Sequence, residues 1–180
     1  INVDKKEMAI RSNTSCGMNF VTQMLKGKEE VVTKMRQGIS GLLKACEVKV
    51  FNGEASFVDK TTVKISLENQ KTEEITGEKI IISTGSEATY PEFIPKSEKI
   101  LTSTELLEIK EIPKSLLVLG GGVIGCEFAC LFNELGTEVT VVEMLDYILP
   151  GQDIEMSRIL TLQMKKAGIQ IITGQPLTDI

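Results

Sequence analysis

The chain has 180 residues, of which 42% are hydrophobic and 25% charged, so it can bury the core of one or two globular domains. A net charge of −5 argues against a broad nucleic-acid-binding surface, and no apolar run approaches the roughly 18 residues of a membrane-spanning helix. Histidine is absent, which excludes metal sites built from Cys and His and catalytic groups that need a histidine.

The first half of the chain predicts a helix followed by a small antiparallel sheet. Residues 1–20 are polar and weakly patterned, and they are predicted as loop or as poorly defined. Apolar residues at steps of three and four predict an amphipathic helix over Lys28–Cys46. Short β-patterned runs separated by turn residues predict an antiparallel meander, with strands over Val48–Phe51, Ala55–Asp59 and Thr62–Leu67.

The next segment predicts a buried strand and a short helix. Lys79–Ser83 contains three consecutive isoleucines, which is typical of a strand buried on both faces, and Thr84-Gly85-Ser86 would end it. A proline-containing loop follows, and Ser103 is the predicted N-cap of a short helix. A charged stretch around Pro113 then marks the predicted boundary between a first domain, residues 1–112, and a second, residues 113–180.

Beyond this boundary strands and helices alternate, which predicts a parallel sheet with right-handed crossovers. Asp153 is the predicted N-cap of the second helix, and Gly168 follows its end. The predicted strands are Ser115–Leu119, Glu138–Glu143 and Ile169–Thr173, and the predicted helices are Gly122–Leu135 and Asp153–Ala167. The expected fold is therefore α/β, with a Rossmann-like parallel sheet preceded by a helix and an antiparallel meander.

A glycine-rich turn joins the first strand and the first helix of this second half. Gly120-Gly121-Gly122-Val123-Ile124-Gly125 fits the pattern G-x-G-x-x-G, and the next strand ends at Glu143, 18 residues after the last glycine. This order predicts a dinucleotide-binding βαβ unit. A structural glycine turn with an incidental glutamate is the plain alternative. The expected buried stripe of the helix consists of Ile124, Phe128, Leu131 and Leu135.

Each part of this unit has a physical role in binding NAD. Gly120 permits the tight turn, Gly122 lets the pyrophosphate approach the backbone, and Gly125 lets the helix lie close to the strand. Free N–H groups and the positive end of the helix dipole compensate the charge of the pyrophosphate. Glu143 can accept hydrogen bonds from both ribose hydroxyls and would repel a 2′-phosphate. Residues 144–150 contain no Arg or Lys to reverse that preference, so NAD is favoured over NADP.

The four cysteines, at positions 16, 46, 126 and 130, show no redox spacing such as C-x-x-C or C-x-x-x-x-C. Cys126 and Cys130 are four residues apart on one predicted helix, and we expect small apolar helix residues with free thiols rather than a redox pair. Free thiols indicate a reducing compartment. We expect a cytoplasmic protein, with the mitochondrial matrix left open.

Together these motifs resemble the two-dinucleotide-binding flavoprotein disulfide reductases, a class of pyridine nucleotide-disulfide oxidoreductases, and within them the dihydrolipoamide dehydrogenase branch. Leu117–Phe128 and Leu135–Glu143 carry the similarity, which covers roughly residues 28–180. Upstream, Ile82–Ser86 is similar to the second FAD motif of the family. Gly53-Glu54-Ala55 is similar to the place where a backbone amide contacts the adenine of FAD.

The resemblance implies cofactor contacts at particular residues. Glu127 would face the nicotinamide end of NAD, and Leu177 would line its adenine side. The full set for NAD is Gly120, Gly121, Gly122, Val123, Ile124, Gly125, Cys126, Glu127, Glu143 and Leu177, and the set for FAD is Ala55, Thr84, Gly85 and Ser86. The plain alternatives are a solvated helix residue for Glu127, an ordinary strand residue for Ala55, and a strand-ending turn for Thr84–Ser86.

The resemblance also implies a longer enzyme. In the family a first G-x-G-x-x-G, a C-x-x-x-x-C disulfide and a C-terminal His-Glu pair complete the machinery; this chain has none of them and starts at Ile1 rather than Met. We expect a central section of a homodimeric enzyme that passes electrons from dihydrolipoamide or another dithiol, through a disulfide and FAD, to NAD. Alone, the chain is expected to be inactive. The alternatives are a sister enzyme, such as glutathione or mercuric reductase, and a non-catalytic NAD-binding module.

Overall fold

The structure is a computed structural model that describes residues 14–67 and 71–175, with side chains from Phe20 onward. It contains two compact units. One is Gly27–Glu87, and the other contains residues 88–175 together with the helical residues up to Lys26. A helix, an antiparallel sheet and a parallel sheet make up these units, which confirms the predicted α/β class. The assignment of residues 1–112 and 113–180 to different cofactors stays a prediction.

The first helix, α1, spans Thr14–Ala45. It contains most of the predicted Lys28–Cys46 helix but begins earlier, so the prediction of a loop over residues 1–20 is wrong from Thr14 onward; residues 1–13 lie outside the described part. Val21 and Leu25 are themselves four residues apart, a helical spacing that the prediction did not use. No helix in the described part of the chain is long and apolar enough to cross a membrane.

The antiparallel sheet consists of β1 (Gly53–Phe57), β2 (Thr62–Leu67) and β3 (Thr72–Thr76) in that order. The turn before β2 is fixed by the Asp59 carboxylate, which accepts hydrogen bonds from the backbone N–H groups of Thr61 and Thr62 at 2.7 and 2.9 Å. The predicted strand Val48–Phe51 is wrong. The third strand of the sheet is β3, which pairs with β2, rather than this run beside β1. The sequence pattern did not predict β3, because this strand contains glutamates and acidic residues have low strand propensity.

The predicted strand Lys79–Ser83 is also wrong, because these residues are irregular in the structure. Ile81 is 88% exposed and Ile82 is 69% exposed. A strand needs partners for its backbone N–H and C=O groups, and no strand in the described part of the chain pairs with this run. Hydrophobicity alone therefore did not make it a strand.

The short helix α2 spans Ser103–Leu106, and its N-cap is Thr102 rather than the predicted Ser103. The Thr102 hydroxyl accepts from the Glu105 N–H at 3.4 Å, and the Glu105 carboxylate accepts from the Thr102 N–H at 2.7 Å. Glu105 stands three residues after Thr102, so this reciprocal capping box decides where the helix begins.

The parallel sheet agrees with the prediction almost residue by residue. Its strands pair in the order β4-β5-β6, and α3 packs on β4 and β5. Asp153 caps the second helix, as predicted, and Gly168 has the positive φ of 99° that a residue after a helix end often adopts. The elements are β4 (Ser115–Leu119), α3 (Val123–Glu134), β5 (Glu138–Glu143), α4 (Ile154–Lys166) and β6 (Gln170–Thr173).

The buried face of α3 differs from the predicted stripe. Ile124 is 57% exposed and Leu131 is 43% exposed, whereas Cys126, Ala129 and Phe132 are buried. Phe128 and Leu135 are half-buried, in accordance with the prediction for those two positions. The helix lies very close to the sheet at its start, where a Cβ atom on Gly125 would overlap the Gly120 carbonyl oxygen, and the buried residues nearest to that point, Cys126 and Ala129, are small.

Both cysteines of α3 are free, as predicted, and Cys126 belongs to the hydrophobic core. Burial raises the pKa of the Cys126 thiol to about 11, and the neighbouring Cys130 and Glu143 charges act in the same direction. Burial also raises the pKa of Cys130. Both groups therefore stay protonated near neutral pH, unlike the thiolate of a redox-active cysteine.

The buried thiol makes stability depend on pH in the alkaline range. Because the folded-state pKa lies above the usual value, the stabilisation is complete below about pH 9 and is lost as the pH rises toward about 11. Urea unfolding between pH 8 and 11 should show this loss, and Cys126→Ala should reduce its slope. Cys46→Ala, which removes an exposed thiol, should leave the slope unchanged. Equal slopes in Cys126→Ala and the unmutated protein would contradict this account.

Candidate dinucleotide-binding site

The glycine turn connects the end of β4 to the start of α3. Gly120 has a φ of 101°, a conformation that residues with a Cβ rarely adopt, and its N–H donates to the Val142 carbonyl at 2.8 Å. Gly122 is the N-cap of α3. The predicted reasons for glycine at 120 and 125 are thus confirmed: a left-handed turn at the first and close helix–strand packing at the second.

Gly121, which lies between Gly120 and Gly122, is fixed by hydrogen bonds through both its N–H and its carbonyl and by close packing. Its N–H donates to Oε2 of Glu143 at 2.6 Å. Its carbonyl oxygen accepts from the Leu149 N–H at 2.7 Å and from the Cys126 thiol, with Sγ at 3.4 Å. A Cβ atom here would lie 2.7 Å from Cγ2 of Ile148, which excludes any larger residue unless the neighbouring loop moves.

Glu143 lies at the end of β5 and is buried, with 7% of its surface exposed. Besides the bond from Gly121, its Oε1 accepts from the Leu145 N–H at 2.9 Å. A carboxylate oxygen has two lone pairs, so each oxygen keeps one acceptor position for a further donor. The sequence suggested a ribose-binding role for this residue. It did not reveal that the carboxylate also fixes the glycine turn.

The N-terminus of α3 is open. Gly122 has extended backbone angles (φ −71°, ψ −177°), and no atom of the described residues lies within 4 Å of the place where its Cβ would stand. Among residues 14–67 and 71–175, no side chain caps the helix. The first N–H groups of a helix have no acceptor within it, and they carry the positive end of the helix dipole. The turn therefore offers uncompensated donors to an anion.

The other residues predicted to contact NAD divide into two groups. Val123, Ile124 and Glu127 are exposed on the first turns of α3, next to the open N-terminus. The Cys126 side chain is instead buried and directed at the Gly121 carbonyl. Leu177 lies outside the described residues.

The residues predicted to contact FAD do not lie in one element of secondary structure. Ala55 lies in β1, is paired with Ile65 and is exposed. Thr84-Gly85-Ser86 follows an irregular segment, in which Gly85 has a φ of 83°. The two places share neither a strand nor a turn, so their joint role stays a prediction.

The loop after β5 supplies site residues that the sequence pattern did not mark. Ile148 is completely buried beside Gly121, and Leu149 has a φ of 54°, which is unusual for a residue with a side chain. Ser157 on α4 is also completely buried, and its hydroxyl donates to the Ile148 carbonyl at 2.6 Å. No local signal identifies Ser157, because its partner lies nine residues away in a loop.

A separate cavity of about 490 Å³ lies between α4, β6 and the loop after β5. Its lining includes Asp146, Tyr147, Arg158 and Lys165, and none of the residues predicted to bind a cofactor. Within the described part of the chain, no group of three or more Cys, Asp or Glu side chains could hold a metal ion.

Known proteins with similar sequences include dihydrolipoyl dehydrogenases. The chain is 43% identical over 157 residues to a dihydrolipoyl dehydrogenase of Chlamydia pneumoniae, which covers 87% of this chain and 34% of that protein. It is 42% identical over 154 residues to a dihydrolipoamide dehydrogenase of Chaetomium thermophilum, covering 84% and 31%. The chain thus spans about a third of the length of these relatives.

A solved structure shows the same similarity. The HOCl-induced flavoprotein disulfide reductase RclA of Escherichia coli matches with a TM-score of 0.73 at 28% identity, covering 96% of this chain and 38% of that one. The family model of the pyridine nucleotide-disulphide oxidoreductases matches residues 3–180. The family predicted from the motifs is therefore confirmed: this chain belongs to the pyridine nucleotide-disulphide oxidoreductases.

Proposed function

We propose that this chain binds NAD at the Gly120–Gly125 turn, as the nucleotide-binding section of a flavoprotein disulfide oxidoreductase. The observation that carries the proposal is the environment of Gly122. Gly120, Gly121 and Gly125 each have a reason within the fold to lack a side chain, whereas Gly122 has an ordinary φ and open space around it. A glycine that the fold does not need is explained by a ligand that must approach its backbone.

The residues present fit a dinucleotide. The uncapped N–H groups at the start of α3 compensate the pyrophosphate charge, and the exposed Glu127 lies two residues beyond the last glycine of the turn, toward the nicotinamide end. NAD, when bound, supplies the nicotinamide ring that exchanges a hydride. The protein's part is to hold that ring in place, because fixed geometry removes a diffusion step from the transfer.

Glu143 supports NAD over NADP. The two acceptor positions left on its carboxylate match the two ribose hydroxyls, whereas a 2′-phosphate would meet a buried negative charge. Residues 144–150 contain no basic side chain that could compensate such a phosphate. In the proposal Leu177 lines the adenine side.

The proposed whole protein is a dihydrolipoyl dehydrogenase: a homodimeric, cytoplasmic enzyme that oxidises dihydrolipoamide with FAD and NAD. Relatives of that name share 36–43% identity with the chain, against 24–31% for the structural relatives, among which the HOCl-induced reductase represents a sister activity. Within it, residues 1–112 would belong to the FAD domain, through Ala55 and Thr84–Ser86, and residues 113–180 to the NAD domain.

Gly122→Val tests whether Gly122 lacks a side chain because a ligand must approach its backbone. Valine tolerates the extended backbone at this position and meets no described neighbour, so the variant should fold, with only the modest fall in melting temperature expected when a glycine N-cap is replaced by valine. Its side chain would occupy the space of the pyrophosphate, so NADH affinity measured by fluorescence titration should fall by about 1–3 kcal/mol, roughly 5- to 150-fold. The matched control is Gly38→Val, at another glycine with open surroundings, which should bind NADH normally. A folded Gly122→Val protein with unchanged NADH affinity would disprove the site.

The choice of nucleotide gives a second test. The unmutated protein should bind NADH at least about tenfold more tightly than NADPH, which corresponds to about 1.4 kcal/mol of repulsion at the 2′-phosphate. Glu143→Ala should weaken NADH by about 1–3 kcal/mol and narrow the difference between the two nucleotides. Glu138→Ala, an exposed glutamate at the other end of β5, is the control and should change neither value. Equal or tighter NADPH binding by the unmutated protein would refute the assignment.

A further inference from the structure

The loop after β5, residues 144–152, lies against the glycine turn and is linked to it through one peptide unit. The Ile148 carbonyl and the Leu149 N–H belong to the same planar, trans peptide, so they point in opposite directions. The carbonyl accepts from the Ser157 hydroxyl at 2.6 Å, and the N–H donates to the Gly121 carbonyl at 2.7 Å. One peptide therefore connects α4 to the turn.

The same geometry continues into the turn itself. The Gly121 carbonyl and the Gly122 N–H also share one trans peptide, so a carbonyl held by Leu149 directs that N–H away from the loop. The Gly122 N–H is one of the donors to which the proposed function assigns the pyrophosphate. Hydrogen bonds in such a chain also polarise one another, which strengthens the terminal donor.

We propose that Ser157 is a positioning residue for the nucleotide-binding turn, which it reaches through the Ile148–Leu149 and Gly121–Gly122 peptides. This role rests on the proposed function, since it concerns the donor offered to the nucleotide. Ser157 itself is completely buried and does not touch the site. A buried hydroxyl needs a partner, and its partner is the carbonyl that begins this chain of hydrogen bonds.

The left-handed backbone of Leu149 explains why the loop needs such an anchor. A leucine with a φ of 54° is strained and persists only where its surroundings hold it. Ser157 holds the preceding carbonyl, and Ile148 fills the space beside Gly121. The Cys126 thiol is a second, weaker hold on the Gly121 carbonyl, so loss of Ser157 should loosen the turn without abolishing it.

Ser157→Ala tests the link. The amide of Leu149 should exchange hydrogen faster in the nucleotide-free protein, as measured by NMR, and the NADH dissociation constant should rise about threefold to tenfold. Ser157→Cys keeps a weaker donor and should give intermediate values. The matched control is Thr161→Val, which removes a hydroxyl one turn further along α4 that donates only to the Ser157 carbonyl. It should leave both readouts unchanged, even if the melting temperature falls.

Two results would overturn the proposal. The first is that folded Ser157→Ala and Ser157→Cys proteins show unchanged amide exchange at Leu149 or unchanged NADH affinity. The second is that Thr161→Val changes both readouts as much as Ser157→Ala does. The proposed function depends on a different measurement, which is NADH binding by the unmutated protein. If the unmutated protein binds no NADH, the proposed function fails, and the Ser157 link is then decided by Leu149 exchange in the nucleotide-free protein alone.

Discussion

The orientation of the peptide between Gly121 and Gly122 constrains the turn that joins β4 to α3 in the parallel half of this chain. Its carbonyl is fixed by the Leu149 N–H and the Cys126 thiol, while the preceding peptide is fixed by Glu143. Because this peptide is trans, the Gly122 N–H points away from the groups that hold the carbonyl. Gly121 is therefore hydrogen-bonded, through its N–H and its carbonyl, to three separate parts of the chain. These are the end of β5, the loop that follows it and the first turns of α3.

Close packing makes this arrangement possible. Helix α3 can lie against β4 and β5 only because Gly125 has no side chain and because Cys126 and Ala129 are small. The larger apolar residues Ile124 and Leu131 are consequently left on the outer face. The close approach also brings the Cys126 sulfur to the Gly121 carbonyl, so the residue that fills the core also takes part in the turn. Its high pKa keeps the thiol protonated and able to donate.

Local signals predicted the parallel half well. Glycines at the turn, the Asp153 cap and the strict β-α alternation are encoded within a few residues of each element, and β5 agrees with its predicted bounds. The meander was harder because strand pairing is not local. Val48–Phe51 and Lys79–Ser83 have strand-like residues but pair with no strand in the described part of the chain, whereas β3 forms a strand despite its acidic composition. The candidate site shows the same difference between local signals and contacts made by residues distant in sequence. Its motif could be recognised, but the second role of Glu143 depends on a residue 22 positions away, and Ser157 acts through a loop.

Mapping amide hydrogen exchange with and without NADH decides whether the nucleotide binds at the Gly120–Gly125 turn. If it does, NADH should slow exchange at the uncapped amides Gly122–Gly125 and leave the central strand of the meander, Thr62–Leu67, unchanged. Unchanged exchange at Gly122–Gly125 in the presence of saturating NADH, or slowing confined to other parts of the chain, would contradict it.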